Sequence, residues 1–266
     1  MNPKLLHDAE VKFKEAGIET ARLDARVLWE HDPAAFEQSV ARRLQHEPIA
    51  YITGVKEFWS IPIKVTPAVL IPRPETETVV EEVLRHISRG GSRTAPTKNT
   101  SKILDLCTGS GCIVAALATE LPHATFVATD ISREALDVAK ENLGFARDRV
   151  TLLQGNLFEP ITNQFDIITA NPPYIPDNQW PMLAPDITQY EPKQALMAGP
   201  RGLDFITRII EDAPHFLNRG GWLVMEIGDG QASETMEIAK RVGKYGAITL
   251  TKDLAGIERV IALHHG

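Results

Sequence analysis

Residues 102–111 have the sequence Lys-Ile-Leu-Asp-Leu-Cys-Thr-Gly-Ser-Gly, and this stretch decides the fold. The apolar run at 103–107 is short enough for one buried strand, and an amphipathic stretch begins at residue 111. Glycines at such a turn allow the backbone to approach a ligand and the helix to pack closely on the strand. The segment predicts a strand, a ligand-binding turn and a helix, although an ordinary tight turn would have the same pattern.

The same alternation of short apolar runs and amphipathic stretches continues to the end of the chain. Further strands are expected at 125–129, 150–153, 165–170 and 222–227, with two more within 245–263. The amphipathic stretches lie at 111–120, 133–143, 203–217 and 231–242. This order predicts an α/β fold with a doubly wound, seven-stranded and mostly parallel sheet, whose ligands bind beyond the carboxyl ends of the strands.

The residues before the sheet have a different pattern. Residues 1–47 carry apolar side chains at helical spacing and predict three helices, whereas 51–72 are rich in β-branched, aromatic and proline residues and predict a hairpin or an extended linker. A helix is expected at 75–86 and a linker at 88–102. We therefore divide the chain into an N-terminal helical domain with a β-hairpin at 1–72, a connecting helix and linker at 73–101, and a catalytic domain at 102–266.

An acidic residue, Asp130, ends the second predicted strand of the sheet. A carboxylate about 20 residues after a glycine-rich turn can accept hydrogen bonds from ribose hydroxyls. Ser132 and Glu134 also mark the start of a helix, so Asp130 can instead help to cap it. The turn and the acid together favour a cofactor that contains adenosine.

Strand 165–170 is followed by Asn171-Pro172-Pro173-Tyr174. Two consecutive prolines remove two backbone donors, so the strand must end there, and the residue before a proline is held extended. The resulting rigid turn presents an amide oxygen, a free carbonyl and an aromatic face. A planar NH₂ group fits this arrangement, because Asn171 and the Pro172 carbonyl can accept its two N–H groups while Tyr174 packs over its face. The alternative is a plain proline turn with a core tyrosine.

This combination resembles S-adenosylmethionine-dependent methyltransferases that act on planar nitrogens, and four further stretches resemble the HemK/PrmC family, the glutamine N5-methyltransferases of peptide chain release factors. The stretches are 48–54 (Pro-Ile-Ala-Tyr-Ile-Thr-Gly) with Phe58; 70–77 (Leu-Ile-Pro-Arg-Pro-Glu-Thr-Glu); Tyr190-Glu191-Pro192 with Ala195-Leu196 and Gly202-Leu203-Asp204; and 252–260 (Lys-Asp-Leu-Ala-Gly-Ile-Glu-Arg-Val).

The resemblance implies a Rossmann-like methyltransferase fold, S-adenosylmethionine as cofactor, and methyl transfer to the glutamine of the Gly-Gly-Gln loop of class 1 release factors. It also implies that the N-terminal helices help to hold the release factor. The residues expected to act in catalysis are Asn171, Pro172 and Tyr174. Those expected to bind the cofactor are Cys107, Thr108, Gly109, Ser110, Gly111, Asp130, Asn156, Leu157 and Asn171. Those expected to contact the substrate are Asn171, Pro172, Pro173, Tyr174 and Glu191.

For several residues the sequence leaves two interpretations of their function open. Glu191 either lines the acceptor channel or anchors its loop, and Arg73, Glu75 and Glu77 can serve the domain junction. Two positions depart from the family pattern, because Cys107 stands where members often have glycine and Asn156 stands where they have an acid that contacts adenine. We expect Cys107 to be tolerated, and the Asn156 amide oxygen to accept from the adenine amino group with weaker binding.

Composition restricts the function further. The net charge is −7; residues 1–100 carry 14 basic and 14 acidic side chains, and the rest carry 14 basic and 21 acidic. This balance disfavours the main alternative, an N6-adenine methyltransferase on DNA or RNA, which must grip phosphates. The intact motifs disfavour a second alternative, a catalytically idle binding module. We expect no direct binding of nucleic acid.

The sequence also gives an expectation for compartment and metal content. The two cysteines, Cys107 and Cys112, are too few for a disulfide scaffold or a four-cysteine zinc site. No apolar run approaches the ~18 residues of a membrane span, and the first ten residues do not resemble a signal peptide. We expect a cytoplasmic protein without a metal site or a membrane partner.

Overall fold

The computed structural model describes residues 3–89 and 100–266, beginning with four helices. They are α1 (Pro3–Glu15), α2 (Ala21–His31), α3 (Phe36–Arg43) and α4 (Ile49–Thr53). The apolar faces of these helices form a separate core around Phe13, Leu28 and Phe36, all at most 3% exposed. The fourth helix differs from the sequence prediction, which placed residues 51–53 in the hairpin region. It begins after Pro48 and ends at Gly54, whose φ of 75° suits a helix C-terminus.

A two-stranded hairpin connects these helices to the rest of the molecule. It pairs β1 (Val55–Phe58) with β2 (Ile61–Lys64) through a tight turn at Trp59 and Ser60, both with positive φ. The Trp59 indole N–H donates to the Glu120 carboxylate at 2.9 Å. Lys64 and Asn142 exchange two hydrogen bonds, at 2.8 and 3.0 Å. The hairpin therefore lies against the α/β part of the chain.

A long helix follows the hairpin. A short 3₁₀ turn (Pro74–Thr76) leads into α5 (Glu77–Arg89), which packs Val79, Val80 and Val83 against the sheet. The linker expected at 88–102 lies mostly outside the described residues, because 90–99 are not described.

The sheet has seven strands, as predicted. In chain order, the strands of the sheet and the α-helices between them are β3 (Lys102–Leu106), α6 (Cys112–Glu120), β4 (Thr125–Asp130), α7 (Arg133–Asn142), β5 (Val150–Gln154), β6 (Phe165–Ala170), α8 (Pro185–Tyr190), α9 (Asp204–Phe216), β7 (Leu217–Glu226), α10 (Ala232–Val242), β8 (Tyr245–Lys252) and β9 (Glu258–His265). The strand order is β5-β4-β3-β6-β7-β9-β8, and only the pairs that include β9 are antiparallel. The fold is therefore a Rossmann-like, mostly parallel sheet.

Two hydrophobic cores cover the faces of this sheet. One packs α5 and α6 on the side that includes Ile103 and Phe126, and the other packs α9 and α10 on the side that includes Leu104 and Ile168. Burial on both faces explains the continuous apolar runs of the central strands.

The strand order reverses between β3 and β6, where crevices for ligands form in sheets of this type. Leu106 pairs with Ala170 on one side and with Thr129 on the other. The residues at the carboxyl ends of these three strands, including Cys107, Asp130 and Asn171, consequently meet at one edge of the sheet. None of the helices in residues 3–89 and 100–266 combines the length and apolarity needed to cross a membrane.

Candidate active site

A cleft opens at this edge and encloses about 1080 Å³ of space that protein does not fill, part of it open to solvent. Of the predicted site residues, nine line the cleft: Cys107, Thr108, Gly109, Ser110, Asp130, Asn156, Leu157, Asn171 and Pro173. The chain thus brings three separate motifs, from the ends of β3, β4 and β6, to one concave surface.

Hydrogen bonds to the end of β4 fix the conformation of the glycine turn. The Asp130 Oδ2 atom accepts the Gly109 N–H at 2.9 Å, and the Thr129 carbonyl accepts the Thr108 N–H at 2.9 Å. Gly111 has a different task, because it begins α6 with a φ of 78° and a Cβ there would lie 3.0 Å from Leu143. Gly111 therefore serves close packing, whereas Gly109 leaves open space toward the cleft.

Asp130 supports the start of the following helix, which is one of the two functions that the sequence left open; its contact with ribose stays a prediction. Its Oδ1 atom accepts the Ser132 N–H at 2.9 Å, while Ser132 itself caps α7 by accepting from the Ala135 N–H. Burial raises the pKa of Asp130, and the backbone N–H groups of Ser132 and Gly109 oppose that shift. Each carboxylate oxygen thus has one backbone donor and retains acceptor capacity toward the cleft.

Cys107 occupies a strained position at the cleft. Its φ is 57°, in the left-handed region where glycine is favoured. Burial raises the pKa of its thiol, as it raises the pKa of Cys112 to about 12. Both thiols are therefore neutral at physiological pH and poor nucleophiles.

Asn171 lies between the cleft and the 3₁₀ turn that precedes α5. Its Nδ2 atom donates to Thr76 Oγ1 at 3.0 Å. Within the described residues no group donates to its Oδ1 atom, and the side chain lines the cleft. The amide oxygen is therefore available to a ligand.

Pro172 and Tyr174, which the sequence predicted to act in catalysis, are not among the residues that line the cleft. Pro172 is buried, and the Tyr174 hydroxyl donates to Glu226 Oε1 at 3.1 Å. Burial raises the pKa of Tyr174 above its ordinary value, so the hydroxyl keeps its proton.

Glu191 is 6% exposed, and the cleft is lined by its neighbour Pro192. Its carboxylate forms an ion pair with Arg73 at 2.5 Å and accepts the Ile71 N–H at 3.2 Å. These contacts tie the loop after α8 to the segment after the hairpin. They favour the anchoring interpretation, and contact with the substrate stays a prediction.

Sequence reasoning missed two polar residues of this region, Thr76 and Glu226. Thr76 lines the cleft, and Glu226 lies behind it at 1% exposure. Thr76 belongs to the quoted stretch 70–77, which was a signal for it. Glu226 ends an ordinary apolar strand, and nothing in its local sequence distinguishes it.

Comparisons with known proteins agree with this geometry. The family model described as methyltransferase small domain matches residues 92–189. A crystal structure of a methyltransferase from Pyrococcus furiosus superposes with a TM-score of 0.56 at 18% identity, covering 87% of this chain and 99% of that one. A structure of a human methyltransferase 10 domain containing protein gives a TM-score of 0.55 at 20% identity, covering 78% and 90%. These structures show the fold alone.

Curated relatives are more informative because their identity is higher. The release factor glutamine methyltransferase of Geobacter sulfurreducens is 44% identical over 86% of this chain and 77% of its own length. The protein of the same name from Rhodopirellula baltica is 39% identical over 94% of this chain and 92% of its own length. The chain therefore belongs to the release factor glutamine methyltransferase family.

Proposed function

We propose that this protein transfers a methyl group from S-adenosylmethionine to the side-chain amide nitrogen of the glutamine in the Gly-Gly-Gln loop of class 1 release factors. The observation that carries the proposal is the free Asn171 Oδ1 atom in a cleft that the glycine turn and Asp130 also line. The site expected to hold the methyl donor and the site expected to hold the amide that accepts the methyl group thus lie in one cleft.

The cleft has the chemistry that S-adenosylmethionine requires. Asp130 offers acceptor capacity for ribose hydroxyls, Asn156 lines the part expected to hold adenine, and Leu157 and Ile113 supply apolar wall. No side chain restricts Gly109, so its backbone can approach a ligand closely. When bound, this cofactor supplies a methyl group on a positively charged sulfur, which is strongly electrophilic.

The acceptor poses the chemical difficulty. A carboxamide nitrogen is a weak nucleophile because its lone pair is delocalised into the carbonyl. In the proposed mechanism Asn171 Oδ1 and the Pro172 carbonyl accept the two N–H groups of the glutamine, which raises electron density on nitrogen and aims it at the methyl group. The amide nitrogen would gain the methyl group as the bond between that group and sulfur breaks, which leaves a neutral thioether, and it would lose one proton to water. Alignment of this kind contributes ~7–11 kcal/mol in favourable intramolecular reactions.

The proposal also assigns a function to each part of the chain. Residues 102–266 hold the cofactor and the reacting amide, 73–101 connect, and 1–72 help to hold the release factor. The Tyr190 hydroxyl donates to the Gln45 carbonyl at 2.8 Å, so the N-terminal helices adjoin the loop that carries Glu191. Leu23 on α2 is 50% exposed and offers an apolar contact. A Leu23→Asp variant should raise KM for the release factor and leave affinity for S-adenosylmethionine unchanged.

Transfer of tritiated methyl groups tests the proposed activity. The acceptors are full-length release factor, the same factor with the Gly-Gly-Gln glutamine replaced by alanine, and duplex DNA. We expect label only in the unmodified release factor. Label in DNA, or equal label in both release factors, would refute the proposal.

A cytoplasmic location is part of the proposal and rests on the expected acceptor and on two cysteines that are both free.

A further inference from the structure

Glu226 is a buried carboxylate to which the proposed methyl transfer assigns no role. It is the last residue of β7, and because Met225 pairs with Ala170, it lies beside Asn171 at the carboxyl edge of the sheet. The side chain is almost inaccessible to solvent, at 1% exposure for the residue. Carboxylates in such positions are costly unless their oxygens are used. Both oxygens of Glu226 are used.

The two oxygens receive hydroxyl groups from opposite sides. Thr76 Oγ1 donates to Oε2 at 2.6 Å, and the Tyr174 hydroxyl donates to Oε1 at 3.1 Å. Thr76 Oγ1 in turn accepts from Asn171 Nδ2 at 3.0 Å. A chain of hydrogen bonds thus runs from the β7 carboxylate through one hydroxyl to the amide at the cleft.

The direction of this chain is fixed by the number of protons available. An ionised carboxylate only accepts, so Thr76 must direct its single hydroxyl proton toward Glu226. The oxygen of Thr76 then offers only lone pairs to Asn171, and the asparagine must present its NH₂ group to Thr76. Its Oδ1 atom consequently faces the cleft, where a glutamine N–H needs an acceptor.

We propose that Glu226 is a positioning residue that determines, through Thr76, which end of the Asn171 amide faces the acceptor glutamine. The inference rests on the proposed function for its chemical purpose. If the Asn171 amide were reversed, its NH₂ group would face the NH₂ group of the acceptor glutamine.

The direction of this chain depends on the charge state of Glu226. Burial raises its pKa to about 7, while hydrogen bonds from Thr76 and Tyr174 and the charge of Arg259 oppose the shift and Glu75 adds to it. The thiol of Cys112 also lies within its electrostatic reach. A protonated Glu226 can donate to Thr76 and thereby reverse the chain, so kcat should rise with pH through about 7.

The isosteric substitution Glu226→Gln tests the direction of the chain, because its NH₂ group can donate to Thr76. We expect kcat to fall roughly 10- to 100-fold, with the dissociation constant for S-adenosylmethionine within about twofold of wild type. The rise of kcat through pH 7 should disappear. Glu82→Gln is the matched control, since Glu82 is equally buried at 2% but pairs with Arg85 and Thr251 away from the cleft; its kcat should equal that of wild type.

Thr76 variants keep the proposal falsifiable if Glu226→Gln folds poorly. Thr76→Ser retains the hydroxyl and should retain most activity and the pH inflection, whereas Thr76→Val should lose both. The double variant Glu226→Gln with Thr76→Val should be no slower than Thr76→Val alone, because both act on one chain. Unchanged kcat in Thr76→Val, or a pH inflection that persists in it, would overturn the proposal.

A measurement without any acceptor separates this inference from the proposed function. The side-chain NH₂ resonances of Asn171 in ¹⁵N-labelled protein are identified by their loss in Asn171→Asp. We expect one of the two protons to exchange slowly with water in wild type and both to exchange fast in Glu226→Gln. Identical protection in the two proteins overturns the inference. Failure of wild type to methylate release factor overturns the proposed function, whereas the control of the Asn171 amide by Glu226 is tested by the exchange measurement alone.

Discussion

Replacing Asp130 with alanine should weaken binding of S-adenosylmethionine by roughly two to four powers of ten. Two backbone N–H groups, of Gly109 and Ser132, each use one site on the carboxylate at 2.9 Å. A carboxylate has about four acceptor sites, so about two remain for the two ribose hydroxyls. Hydrogen bonds to a charged group contribute ~1.5–3 kcal/mol each, which gives ~3–6 kcal/mol for the pair.

The same substitution has a second, separable effect on the free protein. The Gly109 N–H loses its acceptor, so the free energy of unfolding should fall by about 1–3 kcal/mol. Asp130→Asn keeps one carbonyl oxygen and should lie between wild type and alanine in both quantities. The loss of affinity should exceed the loss of stability, because ribose contacts exist only with the ligand.

Isothermal titration calorimetry with S-adenosylmethionine measures the affinities, and urea denaturation measures the stabilities. Asp137→Ala is the matched control, because Asp137 lies on the adjoining α7 with a side chain that is 60% exposed; neither quantity should change beyond error. A folded Asp130→Ala protein whose dissociation constant stays within about threefold of wild type would refute the assignment of Asp130 to the ribose.

Three further predictions concern residues around the same cleft. Asn156→Asp should preserve or tighten cofactor binding and Asn156→Leu should weaken it, as measured by calorimetry; equal affinities would remove Asn156 from the adenine site. Arg73→Ala should lower the free energy of unfolding in urea by about 3 kcal/mol, since Glu191 would remain buried and unpaired; an unchanged midpoint contradicts the anchoring interpretation. Burial raises the pKa of Asp105 to about 7, so wild type should lose about 3 kcal/mol relative to Asp105→Asn between pH 5 and 8; parallel stability curves would contradict that shift.

The sequence predicted those features that short-range chemistry determines. The run at 103–107 and the prolines after Asn171 gave the strand ends, and the parallel pairing of β3, β4 and β6 brought them to one edge. The seven-stranded sheet and the grouping of Cys107, Asp130, Asn156 and Asn171 at one cleft followed from that pairing.

The features that the sequence did not predict depend on contacts between distant segments. Thr76 and Glu226 are 150 residues apart in sequence, and their hydrogen bond depends on the 3₁₀ turn before α5 packing against the end of β7. The helix α8 also escaped, because a six-residue helix bounded by prolines lacks an apolar repeat. The ion pair of Glu191 with Arg73 likewise joins segments that no local pattern relates.

Single-turnover methylation of full-length release factor by Asn171→Ala tests the central claim most directly. Alanine removes the acceptor at the cleft and leaves a substrate N–H unpaired, a cost of ~1–3 kcal/mol before misalignment is counted. Asn163→Ala, at an exposed asparagine, is the control and should match wild type. The account predicts a loss of most turnover, at least tenfold or so, with affinity for S-adenosylmethionine nearly intact. Methylation by Asn171→Ala at the wild-type rate would contradict it.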